Sequence, residues 1–378
     1  MIVLRVLAVL AGLLGVAAVL TSSVRTVVLP RGEPTRIARS VFLATRSLFE
    51  LAAGPNATYE RRDRVLALYS PSSLLILLAT WLLFILAGYT LVFWGVEGRS
   101  LERAFRLSVS SVTTVGFEAP SGWLGAAFVF TEAAAGLVEL ALLITYLPTL
   151  YAAFQRRETQ VSLLEVRAGS PPTGVEMLER FQRLDRLDHL DEEVWERWEV
   201  WFADVEETHT SLPALAFFRS PQPDRHWITA AGAVLDGASL MRAAVDLPPN
   251  IHADLCIRAG YLALREIADF FRIPHNRNPK RDDPISITRE EFEAACERLR
   301  AGGLPMVADA DQAWRDFAGW RVNYDRVLIS LALLTAAPWA PWSSDRSPMD
   351  FRPAFIGGRR SAAPGSPAGG VPPRARSA

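Results

Sequence analysis

Two carboxylates stand inside a stretch that is otherwise apolar: Glu132 and Glu139, in the segment Trp123 to Phe154. Seven positions apart, they share one face of a helix. A carboxylate among apolar side chains is costly and usually faces water or a partner. Glu139 is therefore expected to line a cavity and concentrate cations there. For Glu132 the alternative is a structural bond to a neighbouring helix, through Arg103 or Arg106. Nothing else in the chain is arranged for catalysis. His189, His209, His226, His252 and His275 are scattered, without an HExxH spacing. Glu206-Glu207-Thr208-His209 and His226-Trp227 read as core or capping histidines. Cys256 and Cys296 fit neither a disulfide framework nor a zinc site and are expected to be buried thiols. Trp195, Trp198 and Trp201 are helically spaced, as core residues are. There is no P-loop and no G-x-G-x-x-G after a strand, so no enzyme and no cofactor is expected.

The surroundings of the two glutamates are those of a membrane protein. Of 378 residues, 50% are hydrophobic and only 21% charged, with a mean hydropathy of +0.15. That excludes a disordered chain, a collagen-like fibre and a coiled coil. The 40 basic residues are matched by 41 acidic ones, which leaves no excess for nucleic acid phosphates. Val6 to Val24 is 19 residues without a charge, and Val65 to Val96 is 32. Each can span a hydrocarbon core, which takes about 20 apolar residues. With Trp123 to Phe154 they make three spanning segments. The first is read as a retained anchor rather than a cleaved signal. Ala17-Ala18-Val19 is a poor cleavage site, and the apolar run continues to Val27-Val28-Leu29.

Arginine sets the orientation. Eight fall between residues 21 and 70: Arg25, Arg31, Arg36, Arg39, Arg46, Arg61, Arg62 and Arg64. Arg156 and Arg157 follow the third segment. Both regions are expected on the cytoplasmic side of a bacterial plasma membrane, and Glu97 to Gly122 outside. Thr35 to Ala52 is amphipathic and suited to the membrane surface. The sequon at Asn56 falls inside in this topology and is read as accidental. Residues 159 to about 345 are charge-dense, with helical periodicity in Val194–Val205, Trp227–Val245, Leu255–Phe271 and Ala313–Leu334, and a capping box of Thr288 with Glu291. The fold class is thus all-α. Its parts are an anchor (1–29), a cytoplasmic or interfacial connection (30–70), a membrane module (71–158), a helical cytoplasmic domain (159–345), entered by a linker at Arg167–Thr173, and a disordered tail (346–378).

Between the second and third spanning segments the sequence becomes most specific. Ser100 can cap a short helix from Leu101 to Val112, supported by a Glu102–Arg106 pair. Thr113-Thr114-Val115-Gly116-Phe117 follows, then Glu118-Ala119-Pro120 and the next spanning segment. This order resembles the pore unit of bacterial potassium channels, with its outer helix, pore helix, T-V-G-Y-G filter and inner helix, over about residues 73–158. Gly136 stands where that family's inner helix often has a hinge glycine, and Arg156-Arg157-Glu158 resembles its basic-acidic end.

The resemblance implies a homotetramer in lipid whose filter is Thr113, Thr114, Val115, Gly116 and Phe117. The backbone carbonyls of Thr114 to Phe117 would replace the hydration shell of K⁺, the permeant ion. Gly116 would take a positive φ, and Val115 and Phe117 would pack against the pore helix. Gly136, Glu139 and Pro148 become cavity or gate candidates. Glu118, at the outer mouth, replaces the second filter glycine, and with it the backbone freedom that the outermost carbonyl ring uses. The alternatives are a non-conducting scaffold or signalling protein that keeps the pore fold, and an enzyme tethered through the cytoplasmic domain, whose ligands the sequence does not identify.

Overall fold

The computed structural model describes residues 2–29, 35–54, 58–98 and 100–346. Arg31, Asn56 and all but the first residue of the tail expected over 346–378 lie outside the described residues, and that first residue, Arg346, pairs with Glu291. Among those described the chain is helical, with a single isolated bridge between Val245 and Met306 and no strand. Three of its helices are long and apolar enough to cross a membrane.

Helix α1 (Ile2–Val27) runs along α4 (Tyr69–Glu97). Glycine makes this contact possible: a Cβ on Gly12 would stand 2.4 Å from the Gly88 carbonyl oxygen. Small residues let two backbones approach where no hydrophobic effect drives helices together. Arg5 donates to the Gly98 carbonyl at 2.9 Å, which fixes the start of α1 beside the end of α4. Farther along, Trp81 Nε1 donates to Ser22 Oγ at 3.2 Å. Between these helices come the amphipathic α2 (Arg36–Ala53) and α3 (Tyr59–Ala67), capped by Thr35 and Thr58.

Helix α5 (Leu101–Val112) is the expected short helix, capped by Ser100. Helix α6 (Gly122–Ala168) is 47 residues long, about 70 Å at 1.5 Å per residue. It passes through Arg156-Arg157-Glu158 without a break, so the helix itself does not end there. The turn comes at Gly169, with φ +81°, and Thr173 caps α7 (Gly174–Arg183).

The domain beyond is built from α7, α8 (Glu196–Ser211), α9 (Trp227–Ala244), α10 (Ile251–Phe270), α11 (Arg289–Ala301), α12 (Ala310–Arg321) and α13 (Asp325–Thr335). Trp195, Trp198 and Trp201 are core residues as expected, and Thr288 with Glu291 forms the capping box. Cys256 is fully buried, whereas Cys296 is only half-buried, a correction to the reading of both as buried thiols. The periodic run Ala313–Leu334 divides into α12 and α13. Asn323 Nδ2 donates back to the Gly319 and Trp320 carbonyls, a local bond that competes with helix continuation. Arg321 and Asp325, either side of the break, meet in a buried network with Asp236.

The domain docks on the membrane module. Leu74, Tyr146, Leu150 and Ala153 pack on Ala214, Leu215 and Phe218. Arg157, fully buried on α6, donates to the Leu215 and Phe218 carbonyls, both at 2.8 Å, and pairs with Glu158 at 2.8 Å. Glu158 in turn accepts from Ser220.

Candidate functional site

Helix α5 does not lie across the ends of its neighbours. It dips between α4 and α6, and its serines make the contacts. Ser108 Oγ reaches the Leu86 carbonyl at 3.0 Å and also donates to the Glu132 carboxylate. Ser111 Oγ donates to the Val129 carbonyl at 2.8 Å. At its last residue, Val112, α5 meets Gly136: a Cβ on Gly136 would stand 3.0 Å from the Val112 carbonyl oxygen. Gly136 is 14 residues into α6, a depth of about 21 Å along that helix. The small residue thus serves a close approach.

From that depth the chain climbs back as Thr113 to Glu118, tied to the final turn of α5 by alternate N–H groups. Thr114 N–H donates to Ser111 O at 2.9 Å and Gly116 N–H to Ser110 O at 3.2 Å. Glu118 N–H donates to Ser110 Oγ at 3.0 Å. Among the described residues, no donor bonds the carbonyl oxygens of Thr114, Val115, Gly116 or Phe117. Four successive acceptors are left open, in a segment where α5 already occupies three of the donors. The backbone alternates as well. Gly116 has φ +74°, as expected, and Thr114 has φ +58°, a conformation uncommon for a residue with a β-carbon.

The side chains of the strip depart from expectation. Val115 is 68% exposed and Phe117 52%. Neither is buried against α5 within one chain. Glu118 does not adopt a left-handed backbone. Its carboxylate pairs with Arg103 at 2.8 Å and lies 3.9 Å from Arg106. These arginines are therefore not partners of Glu132, and Arg106 answers Glu118 rather than Glu102. At the other end of the loop, Glu97 accepts from Ser121 N–H at 2.8 Å. Its negative charge sits at the start of α6, where the helix dipole favours it.

The two membrane glutamates are both internal. Glu132 is fully buried and bonded to α5 through Ser108, with its second oxygen unpartnered. Glu139 is 1% exposed, beside Ser23 of α1, and neither of its oxygens makes a well-formed hydrogen bond among the described residues. The cavity-lining role expected for Glu139 is corrected on this point: it faces α1, and the face of α6 left open carries Phe130, Leu137, Val138 and Ile144. Pro148 lies within α6, which continues through it.

Three features escaped the sequence reading: the serines of α5, the positive φ of Thr114 and the Arg157 clamp. The serines left a signal, three of them in the last five residues of an amphipathic helix facing a glutamate-bearing one. Among known proteins, no family, no curated protein and no solved structure matches the chain.

Proposed function

We propose that this chain is a subunit of a cation channel, passing K⁺ or related monovalent cations down their gradient through a homotetrameric pore. The observation that carries the reading is the open carbonyl run of Thr114, Val115, Gly116 and Phe117, held about 21 Å down α6 by a short helix. A dehydrated cation needs such oxygens in rings, and four copies around an axis supply them. Irregular backbone at membrane depth is tolerated where it lines water or is covered by protein. Copies around an axis meet that condition for a strip exposed in the single chain. The C-terminal end of α5 points its negative dipole end at the same place. Glu118, held by Arg103, sets a carboxylate at the outer mouth.

In this reading the strip faces outward across a bacterial plasma membrane, and the helical domain, on the arginine-rich side, is cytoplasmic. The Arg157 clamp makes that domain a rigid extension of the pore-lining helix, so Pro148 and the clamp are the candidate gate. The domain acts by regulation or assembly rather than catalysis. The direct experiment is cation efflux from liposomes containing the full chain. K⁺ leaves faster than from protein-free liposomes and choline does not. Equal leakage of K⁺ and choline, or none above the protein-free control, contradicts the proposal.

A further inference from the structure

Glu139 stands at the centre of the apolar stretch from Trp123 to Phe154, 17 residues into α6, a depth of about 26 Å along that helix. Helix α1 covers it through Ser23. Ser23 is itself buried, and its O–H points to the Leu20 carbonyl at 3.1 Å. A serine has only that one donor. Both oxygens of a fully enclosed carboxylate are thus left without a well-formed bond among the described residues.

No described cation answers Glu139 from the helices around it. Helix α4 carries no charged residue before Glu97, which accepts from Ser121 N–H. On α5, Glu102 is exposed, and Arg103 and Arg106 face Glu118. On α1, Arg5 is bonded to the Gly98 carbonyl. Arg25 is exposed, two positions past Ser23 and so about 200° around the helix from it. On α2, which packs on α1 and α4, Arg36 and Arg39 are exposed and Arg46 pairs with Glu50. The nearest titratable side chains of α6 are Glu132 and Tyr146, each seven positions away, or about 10 Å. Glu132 is engaged with Ser108, and Tyr146 is buried against Leu74 and Leu150.

An ionised carboxylate enclosed without a cation or a donor is among the costliest groups that a membrane segment can hold. Alkali cations are held by rings of oxygens, and the described residues include no group of three metal-ligating side chains. A proton needs only the carboxylate. We propose that Glu139 is a proton-binding site: it holds an exchangeable proton in the middle of the apolar layer, beneath α1, and gives it up only when α1 lifts and water reaches the carboxyl. The site lies outside the strip and stands whether or not the chain conducts ions.

The test is infrared spectroscopy of the full chain in liposomes at pH 7, wild type minus Glu139→Gln. The difference contains the C=O stretch of a protonated carboxyl, at higher frequency than in hydrogen-bonded acids because no donor reaches it. Transfer to D₂O shifts the band within hours, through local opening of the helix contact. Added K⁺ or Na⁺ leaves it in place. An apolar carbodiimide checks the same proton chemically. The acid adds across one C=N bond, its proton passing to nitrogen, and the O-acylurea rearranges to a stable N-acylurea with no leaving group. Peptide mass spectrometry should find Glu139 labelled at least about tenfold more than exposed Glu102, because solvated carboxylates are ionised at pH 7. Absence of the band, its loss on adding K⁺ or Na⁺, or a band that D₂O never shifts overturns the proposal. So does labelling of Glu139 no greater than that of Glu102. If Glu139→Gln does not fold, labelling of the wild type carries the test alone.

Discussion

The carbonyl oxygen of Val112, at the foot of α5, lies 3.0 Å from where a β-carbon on Gly136 of α6 would stand. The end of the short helix therefore rests on bare backbone. Gly136→Val forces α5 and the strip above it outward. Overpacking of this kind costs about 1–3 kcal/mol. The expected outcome is a lower melting temperature in detergent and loss of K⁺ flux, with Gly136→Ala intermediate. A Gly136→Val protein that melts and conducts like the wild type contradicts the packing described.

Glu118 and Arg103 form a pair of which the arginine is 54% exposed. Exposed pairs contribute about 0–1 kcal/mol, so Glu118→Gln leaves the melting temperature nearly unchanged. It removes the carboxylate at the proposed outer mouth and leaves Arg103 uncompensated there. K⁺ flux at 20 mM salt is expected to fall about two- to threefold, and the difference to vanish at 0.5 M, where screening acts within a few ångströms. A deficit that persists at high salt places the effect elsewhere than in the field at the mouth.

Arg157 and Glu158 join the domain to α6 from a buried position. Removing one partner strands the other charge, at a cost of about 3–5 kcal/mol. Arg157→Met should therefore speed hydrogen exchange of residues 213–218, whose Leu215 and Phe218 carbonyls it holds. Adding Glu158→Gln should recover part of the loss. Unchanged exchange in Arg157→Met refutes the clamp.

Two buried histidines set the acid limit of the domain. Burial, reinforced by nearby guanidinium groups (Arg157 for both and Arg219 for His226), holds each well below the ordinary histidine range. The hydrogen bonds require the neutral rings. His209 donates from Nδ1 to the Val205 carbonyl at 2.9 Å and accepts at Nε2 from Arg157 at 3.2 Å. His226 Nδ1 accepts from Ile228 N–H at 3.2 Å, capping α9. The folded state thus binds fewer protons than the unfolded one below the unfolded pKa of about 6.5. Stability is intact above that pH and falls as the pH drops toward 5, by up to about 1.4 kcal/mol per pH unit for each ring. Melting curves from pH 8 to 5 check this. A midpoint that holds level below 6.5, or a His226→Gln protein with the same pH slope as the wild type, contradicts it.

Much of this architecture was legible in the sequence, because membrane helices and caps are local signals. Charge-free runs gave the three long apolar helices, Ser100 marked a helix start, and the linker at Arg167–Thr173 marked a helix end. Gly116 announced its positive φ because glycine alone enters that region without strain. Thr114 could not, since its left-handed φ accompanies its own N–H bond to Ser111 and the bonds of Gly116 and Glu118 to Ser110. The surroundings of Glu139 were missed for a related reason, whereas Glu132 bonds the short helix as its structural reading had it, through Ser108 rather than an arginine. Periodicity puts Glu132 and Glu139 on one face, but does not say that α1 covers that face as well. Nor could spacing show that Arg157, which reads as a membrane-flanking charge, is enclosed by a loop some 60 residues away.

The central claim is that the backbone of the strip, and not its side chains, handles the ion. Gly116→Ala isolates that claim. The added carbon meets open space within 4 Å, yet φ is +74°, where a side chain costs about 1–2 kcal/mol. Paired K⁺ and Na⁺ efflux from liposomes, wild type against Gly116→Ala, is the measurement. The wild type should pass K⁺ ahead of Na⁺, with K⁺ flux down about five- to thirtyfold in the variant, the size of effect that such a cost produces. Equal rates for both ions in both proteins would contradict the account.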